Sequence, residues 1–116
     1  MIGFATFDSF RQHPAYKYTI ENSIYVHKDY RQEGIGKKLL EEIITLANER
    51  KYATMVAGID SENYGSIILH EKLGFKFAGI IKKAGYKFEK WLDLAFYQLE
   101  LIGPDEPIEE EKFIVK

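Results

Sequence analysis

Apolar and polar positions alternate along residues 18–26, so that Ile20, Ile24 and Val26 share one face of a strand and Thr19, Glu21, Ser23 and Tyr25 share the other. Over 35–50 the period changes to that of a helix. Ile35, Leu39, Leu40, Ile43, Ile44 and Ala47 form its apolar stripe, with Glu41, Glu42 and Glu49 outside it. The same reading predicts strands over 2–7, 53–59, 75–81 and 91–101, and a second helix over 64–73 stopped by Gly74, a usual C-terminal cap. Residues 8–15 read as a loop carrying Arg11 and His13, and residues 82–90 as a connection turning at Gly85. The resulting order is β-β-α-β-α-β-β. A helix joining two adjacent strands predicts a right-handed parallel crossover inside a mixed sheet, hence an α/β protein with helices packed on its sheet. Residues 1–102 are expected to form the domain and residues 103–116, acidic and punctuated by proline, a loose tail. The tail's Phe113-Ile114-Val115 could pair with a sheet edge.

The turn between the second strand and the first helix carries the most chemistry. Arg31-Gln32-Glu33-Gly34-Ile35-Gly36-Lys37 puts two glycines where the first N–H groups of a helix lack intrahelical partners. The helix dipole adds partial positive charge there, and glycine lets a ligand approach the backbone, so the turn suits a phosphate or pyrophosphate. It is not a Walker A loop: Arg31 stands where the first glycine belongs, and Lys38 fills the place of the metal-binding hydroxyl. Nor is it a dinucleotide fingerprint, because Leu39 occupies the third glycine position. Arg-x-x-Gly-x-Gly by itself is a weak signal, equally consistent with a plain helix start.

Composition narrows the classes. At 116 residues, 46% hydrophobic and 29% charged, this is the make-up of one soluble globular domain. A net charge of −2 argues against general nucleic-acid binding. With no cysteine, the chain has no disulfide, thiolate zinc site or cysteine nucleophile. His13 and His27 lack metal-ligand spacing, so no metal is expected. No apolar run approaches the roughly 18 residues of a membrane span, and a cytoplasmic protein without membrane partners is the expectation.

Taken jointly, the residues are similar to a known family. Arg31-Gln32-Glu33-Gly34-Ile35-Gly36 after a strand resembles the acetyl-CoA loop of the GNAT N-acetyltransferases. Asn63, Ser66, His70 and Leu73-Gly74-Phe75 resemble the following helix and strand of that fold. Tyr18-Thr19-Ile20-Glu21-Asn22-Ser23-Ile24-Tyr25-Val26, Ala84-Gly85-Tyr86-Lys87-Phe88 and Trp91-Leu92-Asp93 resemble the phosphinothricin and methionine sulfoximine acetyltransferases within it. The resemblance runs over about residues 1–102.

It implies the mixed sheet of the GNAT acyl-CoA N-acyltransferase fold and direct acetyl transfer to the amine of a small amino-acid-like substrate. The acetyl-CoA arm would lie along Ile24, Tyr25 and Val26, its pyrophosphate on Gln32, Glu33, Gly34, Ile35, Gly36 and Lys37, with Asn63 adding a side-chain amide. Glu21 would be the base that frees the amine, and His70, where many members carry a tyrosine, the acid that protonates the departing thiolate. Arg11, Pro14, Ala15 and Tyr16 align with the substrate loop, where a guanidinium suits a carboxylate or phosphinate; Lys87 and Trp91 are second contributors.

Family members carry a strand, two helices and another strand ahead of the point where this chain starts, so an N-terminally truncated form is expected. Its first strand would then be an edge that a homodimer could cover. Two alternatives stay open: a non-catalytic CoA-binding module, and an acetyltransferase of peptide N-termini or polyamines. Outside the resemblance, Glu21 reads as a solvated strand residue, His70 as an ordinary helix histidine and Arg11 as a loop charge.

Overall fold

The computed structural model describes residues 2–31 and 33–103. Gln32 and the tail from residue 104, including Phe113-Ile114-Val115, lie outside the described residues. Strands β1 (Gly3–Ser9), β2 (Thr19–Val26), β3 (Thr54–Asp60), β4 (Lys76–Lys87) and β5 (Lys90–Glu100) form one sheet in the order β1-β2-β3-β5-β4. Helix α1 (Ile35–Glu49) joins β2 to β3, and α2 (Tyr64–Lys72) follows β3. The β2–β3 pair is parallel and the others are antiparallel, which is the mixed sheet that the β-α-β order predicts.

Both helices pack on one face. Leu40, Ile43 and Ala47 of α1 sit in a buried cluster with Ile20, Met55, Ala57, Ile59, Ala95 and Tyr97 of the sheet. Ile67, Leu69 and Leu73 of α2 pack against the same cluster. The alternation of β3 explains the division: Met55, Ala57 and Ile59 are buried beneath the helices, while Val56 and Gly58 point with Glu21 to the other face. Helix α2 ends where Gly74, at φ +99°, takes the left-handed conformation that a C-terminal cap requires.

The hairpin departs from the sequence expectation. Gly85 is not its turn but a strand residue opposite Leu92, and the chain reverses at Phe88-Glu89, both with positive φ (53° and 60°). Two left-handed residues in a row match the right-handed twist of the flanking strands. Upstream, the register shifts between Ile81 and Gly85, where Lys83 has φ +54° and its N–H donates to the Asp93 carboxylate at 2.9 Å. That bulge lets β4 run on past the expected end at Ile81. The hairpin thereby extends beyond the last β3 residue, Asp60, which is opposite Leu94. Lys90 reaches back to Glu62 at 2.6 Å, a contact between exposed groups, and Glu62 raises the Lys90 pKa.

Candidate active site

Strands β2 and β3 pair only from Thr19–Thr54 to Glu21–Val56, and then part. β1 stays paired with β2 as far as Val26, and β5 with β3 as far as Asp60. The two facing edges beyond Glu21 and Val56 therefore have no sheet partner for their N–H and C=O groups. Such an edge accepts an extended ligand as it would another strand.

A cleft of about 390 Å³ occupies this fork, lined by Glu21, Asn22, Ser23, Ile24 and Tyr25 from β2 and by Gly58, Ile59 and Asp60 from β3. Phe4, Asn63, Ser66 and His70 complete it. Glu21, Ser23 and Tyr25 belong to one face of the sheet, and Asn22, Ile24, Ile59 and His70 to the helical face. The cleft thus passes through the plane of the sheet, and a molecule threaded along it would meet Glu21 on one side and α2 on the other. Glu21 lies across β3: a side chain at Gly58 would begin 3.1 Å from its Oε2. Glycine there leaves the carboxylate room at the fork.

Asn63 caps α2, its Oδ1 accepting from the Ser66 N–H at 3.2 Å. This is the ordinary role of asparagine at a helix start, and Asn63 also belongs to the cleft lining. His70 is 2% exposed and packs edge-on against Phe75. Its Nδ1 lies 2.8 Å from the Ser66 carbonyl, which can only accept, so Nδ1 carries the proton and Nε2 a lone pair. Burial pushes the imidazole pKa down. The acid role expected for His70 therefore does not suit its resting state, since Nε2 has no proton to give and gaining one is opposed by desolvation.

The turn that opens α1 uses its two glycines for different reasons. Gly34 is the N-cap of α1 at φ +80°, with no side-chain cap. Its free backbone conformation is what the turn needs. A side chain at Gly36 would meet Leu69 at 3.3 Å and Val26 at 3.6 Å, so this glycine serves the close approach of α1 to α2 and β2. The Arg31 side chain donates to the Val26 carbonyl at 3.1 Å, fastening the turn to the end of β2. Glu33, Gly34, Ile35, Gly36 and Lys37 sit together at the helix start, while Val26 lies outside the cleft lining.

Arg11, Pro14, Ala15 and Tyr16 are not brought to the cleft. Pro14–Tyr16 is a 3-10 turn capped by His13, whose Nδ1 accepts from the Ala15 N–H. Arg11 is exposed beside it. Sequence reasoning missed Asn22, which is 7% exposed with an unpartnered Nδ2 in the cleft. The signal was present, since Asn22 falls on the apolar face between Ile20 and Ile24.

The lowered His70 pKa sets an expected pH dependence. The unfolded chain takes up this proton near pH 6.5, the folded chain only lower. Stability contributed by the neutral ring is full above about 6.5 and is lost as pH falls from there to the folded value, below which the loss levels off. Urea unfolding of His70→Gln at several pH values is expected to lack this part of the acid slope; an unchanged slope would assign it elsewhere.

Comparison with known proteins adds to the geometry. The family model described as the acetyltransferase (GNAT) family matches residues 1–75. The chain is 42% identical over 105 residues to the L-amino acid N-acyltransferase MnaT of Escherichia coli (strain K12), covering 90% of this chain and 61% of that protein. It is 43% identical over 99 residues to an L-methionine sulfoximine/L-methionine sulfone acetyltransferase of Salmonella typhimurium, covering 85% and 58%. The structure of Salmonella typhimurium yncA with its cofactor acetyl-CoA superimposes with a TM-score of 0.88 at 41% identity, over 92% of this chain and 62% of that one. The chain thus spans about six-tenths of the length of the curated relatives it matches.

Proposed function

The chain belongs to the acetyltransferase (GNAT) family, and on that premise we propose that it transfers an acetyl group from acetyl-CoA directly to the free amine of a small amino-acid-like acceptor. The observation that carries this reading is the fork between β2 and β3, with unpaired edges on both sides and Glu21 at its apex.

The residues present fit the coenzyme. The extended arm matches the unpaired edges of Ile24, Tyr25 and β3, and the N–H groups opening α1 at Gly34 suit its pyrophosphate. Acetyl-CoA supplies the acetyl group as a thioester. Glu21 removes a proton from the acceptor ammonium, since only the free amine has the lone pair that attacks the carbonyl carbon. A backbone N–H at the end of β2, near Val26, donates to the carbonyl oxygen as charge builds there. The C–N bond forms and the C–S bond breaks. The nitrogen's second proton goes to solvent, and the thiolate, as the anion of a weakly acidic thiol, takes up its proton from water without help from His70.

Incubation with acetyl-CoA and a panel of methionine sulfoximine, methionine sulfone, phosphinothricin, spermidine and peptides is expected to release thiol with the amino acids alone. Turnover confined to spermidine or peptides would replace the acceptor class, and none with any acceptor would remove the enzyme reading. One observation favours a CoA-binding module instead: the Arg11–Tyr16 loop stands away from the cleft. That reading predicts saturable coenzyme binding without turnover.

The proposal also takes the protein as a cytoplasmic homodimer; the dimer is supported by β1, which stands at an edge of the sheet with one side unpaired. Sedimentation at a single monomer mass would remove the dimer.

A further inference from the structure

Among the described residues, two buried side-chain polar atoms have no hydrogen-bond partner: Asn22 Nδ2 and His70 Nε2. They are not scattered, since both residues line the fork between β2 and β3, one from the strand and one from α2. Both residues are more than nine-tenths buried, at 7% and 2% exposure. A buried polar group without a partner costs free energy, so two lining one cleft are groups that a molecule bound there would satisfy. Their capacities are opposite. The Asn22 amide nitrogen can only donate. With Nδ1 committed as a donor to the Ser66 carbonyl, His70 Nε2 can only accept. A group that satisfies both must itself offer one acceptor and one donor close together.

We propose that Asn22 and His70 form a donor–acceptor pair that recognises a secondary amide in the cleft, Asn22 Nδ2 donating to its carbonyl oxygen and His70 Nε2 accepting from its N–H. The assignment rests on the proposed acetyl transfer and deepens it. Under that reading a secondary amide reaches the fork from two sources, the arm of coenzyme A and the N-acetylated product. Neither a carboxylate, which only accepts, nor an ammonium, which only donates, satisfies the two atoms together. A neutral, peptide-like group, with a carbonyl and an N–H side by side, is the part of the proposed coenzyme and product that offers both at the point where the sheet opens.

Calorimetry on the full chain tests this with three probes: coenzyme A, the adenosine bisphosphate half of coenzyme A, and N-acetylmethionine sulfoximine. Asn22→Leu removes the donor at similar volume, and His70→Phe removes the acceptor. Each is expected to weaken one amide-bearing probe about tenfold and leave the bisphosphate within about twofold of the parent. Loss with coenzyme A assigns the arm amide, and loss with the acetylated amino acid assigns the product. Because one amide serves both residues, the double variant should lose less than the product of the single losses.

Melting of the ligand-free proteins supplies a second readout. Asn22→Leu removes an uncompensated buried N–H, so it should melt no lower than the parent, whereas a purely structural asparagine would leave it melting lower. Unchanged affinity for every probe, equal losses that include the bisphosphate, or a lower-melting Asn22→Leu would overturn the pair. A parent that binds no coenzyme A would instead remove the acetyl-transfer reading, and this inference with it.

Discussion

Glu21→Gln is expected to lower turnover about a thousandfold and leave coenzyme affinity within about twofold, the size of effect that losing a positioned general base has. The amide keeps the shape and the contact over Gly58 but cannot take a proton from an ammonium. Glu21 sits at Val56, the last paired position before β2 and β3 separate, so its carboxylate stands at the apex of the fork. Since the cleft traverses the sheet, an acceptor reaching the Glu21 face and a thioester arriving along the unpaired edges meet from opposite sides. That arrangement needs no covalent intermediate on the protein. Thiol release under saturating acetyl-CoA gives the rate, and calorimetry gives the affinity. A variant within tenfold of the parent would exclude Glu21 as the base, and a parallel loss of affinity would make it a binding residue.

The same geometry shows how far residues can be read without coordinates. Strand and helix order was legible because burial follows the two periods: Met55, Ala57 and Ile59 alternate on β3, and Leu40, Ile43 and Ala47 line one side of α1. The hairpin was misplaced because the eye goes to glycine for a turn, whereas Phe88 and Glu89 adopt positive φ within a reversal set by the strand twist and the Lys83 bulge. Glycine roles divided for a similar reason. Gly34 is demanded by backbone conformation, but what Gly36 avoids is a collision with Leu69, a contact 33 positions away in the numbering that no local pattern encodes.

Legibility failed most where a role depends on three-dimensional partners. The His70 tautomer follows from one carbonyl four residues earlier, which sequence spacing could suggest, but its lowered pKa comes from burial that only packing shows. Asn22 falls on the apolar face of its strand, but that its amide is both buried and unpartnered shows only once the fork is formed. Arg11 shows the limit from the other side: the resemblance assigns it to the acceptor, and in the described residues it is not among the cleft lining. Glu21 and the glycine turn need little more than position on an element, and the structure puts Glu21 in the cleft lining and the turn at the start of α1.

Leu40→Ala should destabilise the chain by about 3 kcal/mol, since a fully enclosed leucine leaves both lost transfer energy and a cavity. Leu40 is 0% exposed and packs in the cluster that includes Ile20 and Met55. Against the 5–15 kcal/mol or so that holds a typical domain, this is a large fraction, and the midpoint should fall on the order of 10 °C. Leu46, on the same helix but 37% exposed, provides the control: Leu46→Ala should cost well under half as much. Because Leu40 belongs to this core cluster and does not line the cleft where the coenzyme is proposed to bind, the two effects should separate. Saturating acetyl-CoA should raise the midpoint of Leu40→Ala by nearly the increment seen in the parent, as binding to the native state alone requires. If the variant instead lost its ligand-dependent rise, this part of the core would be needed to shape the coenzyme site, and the separation of core from fork would have to be given up.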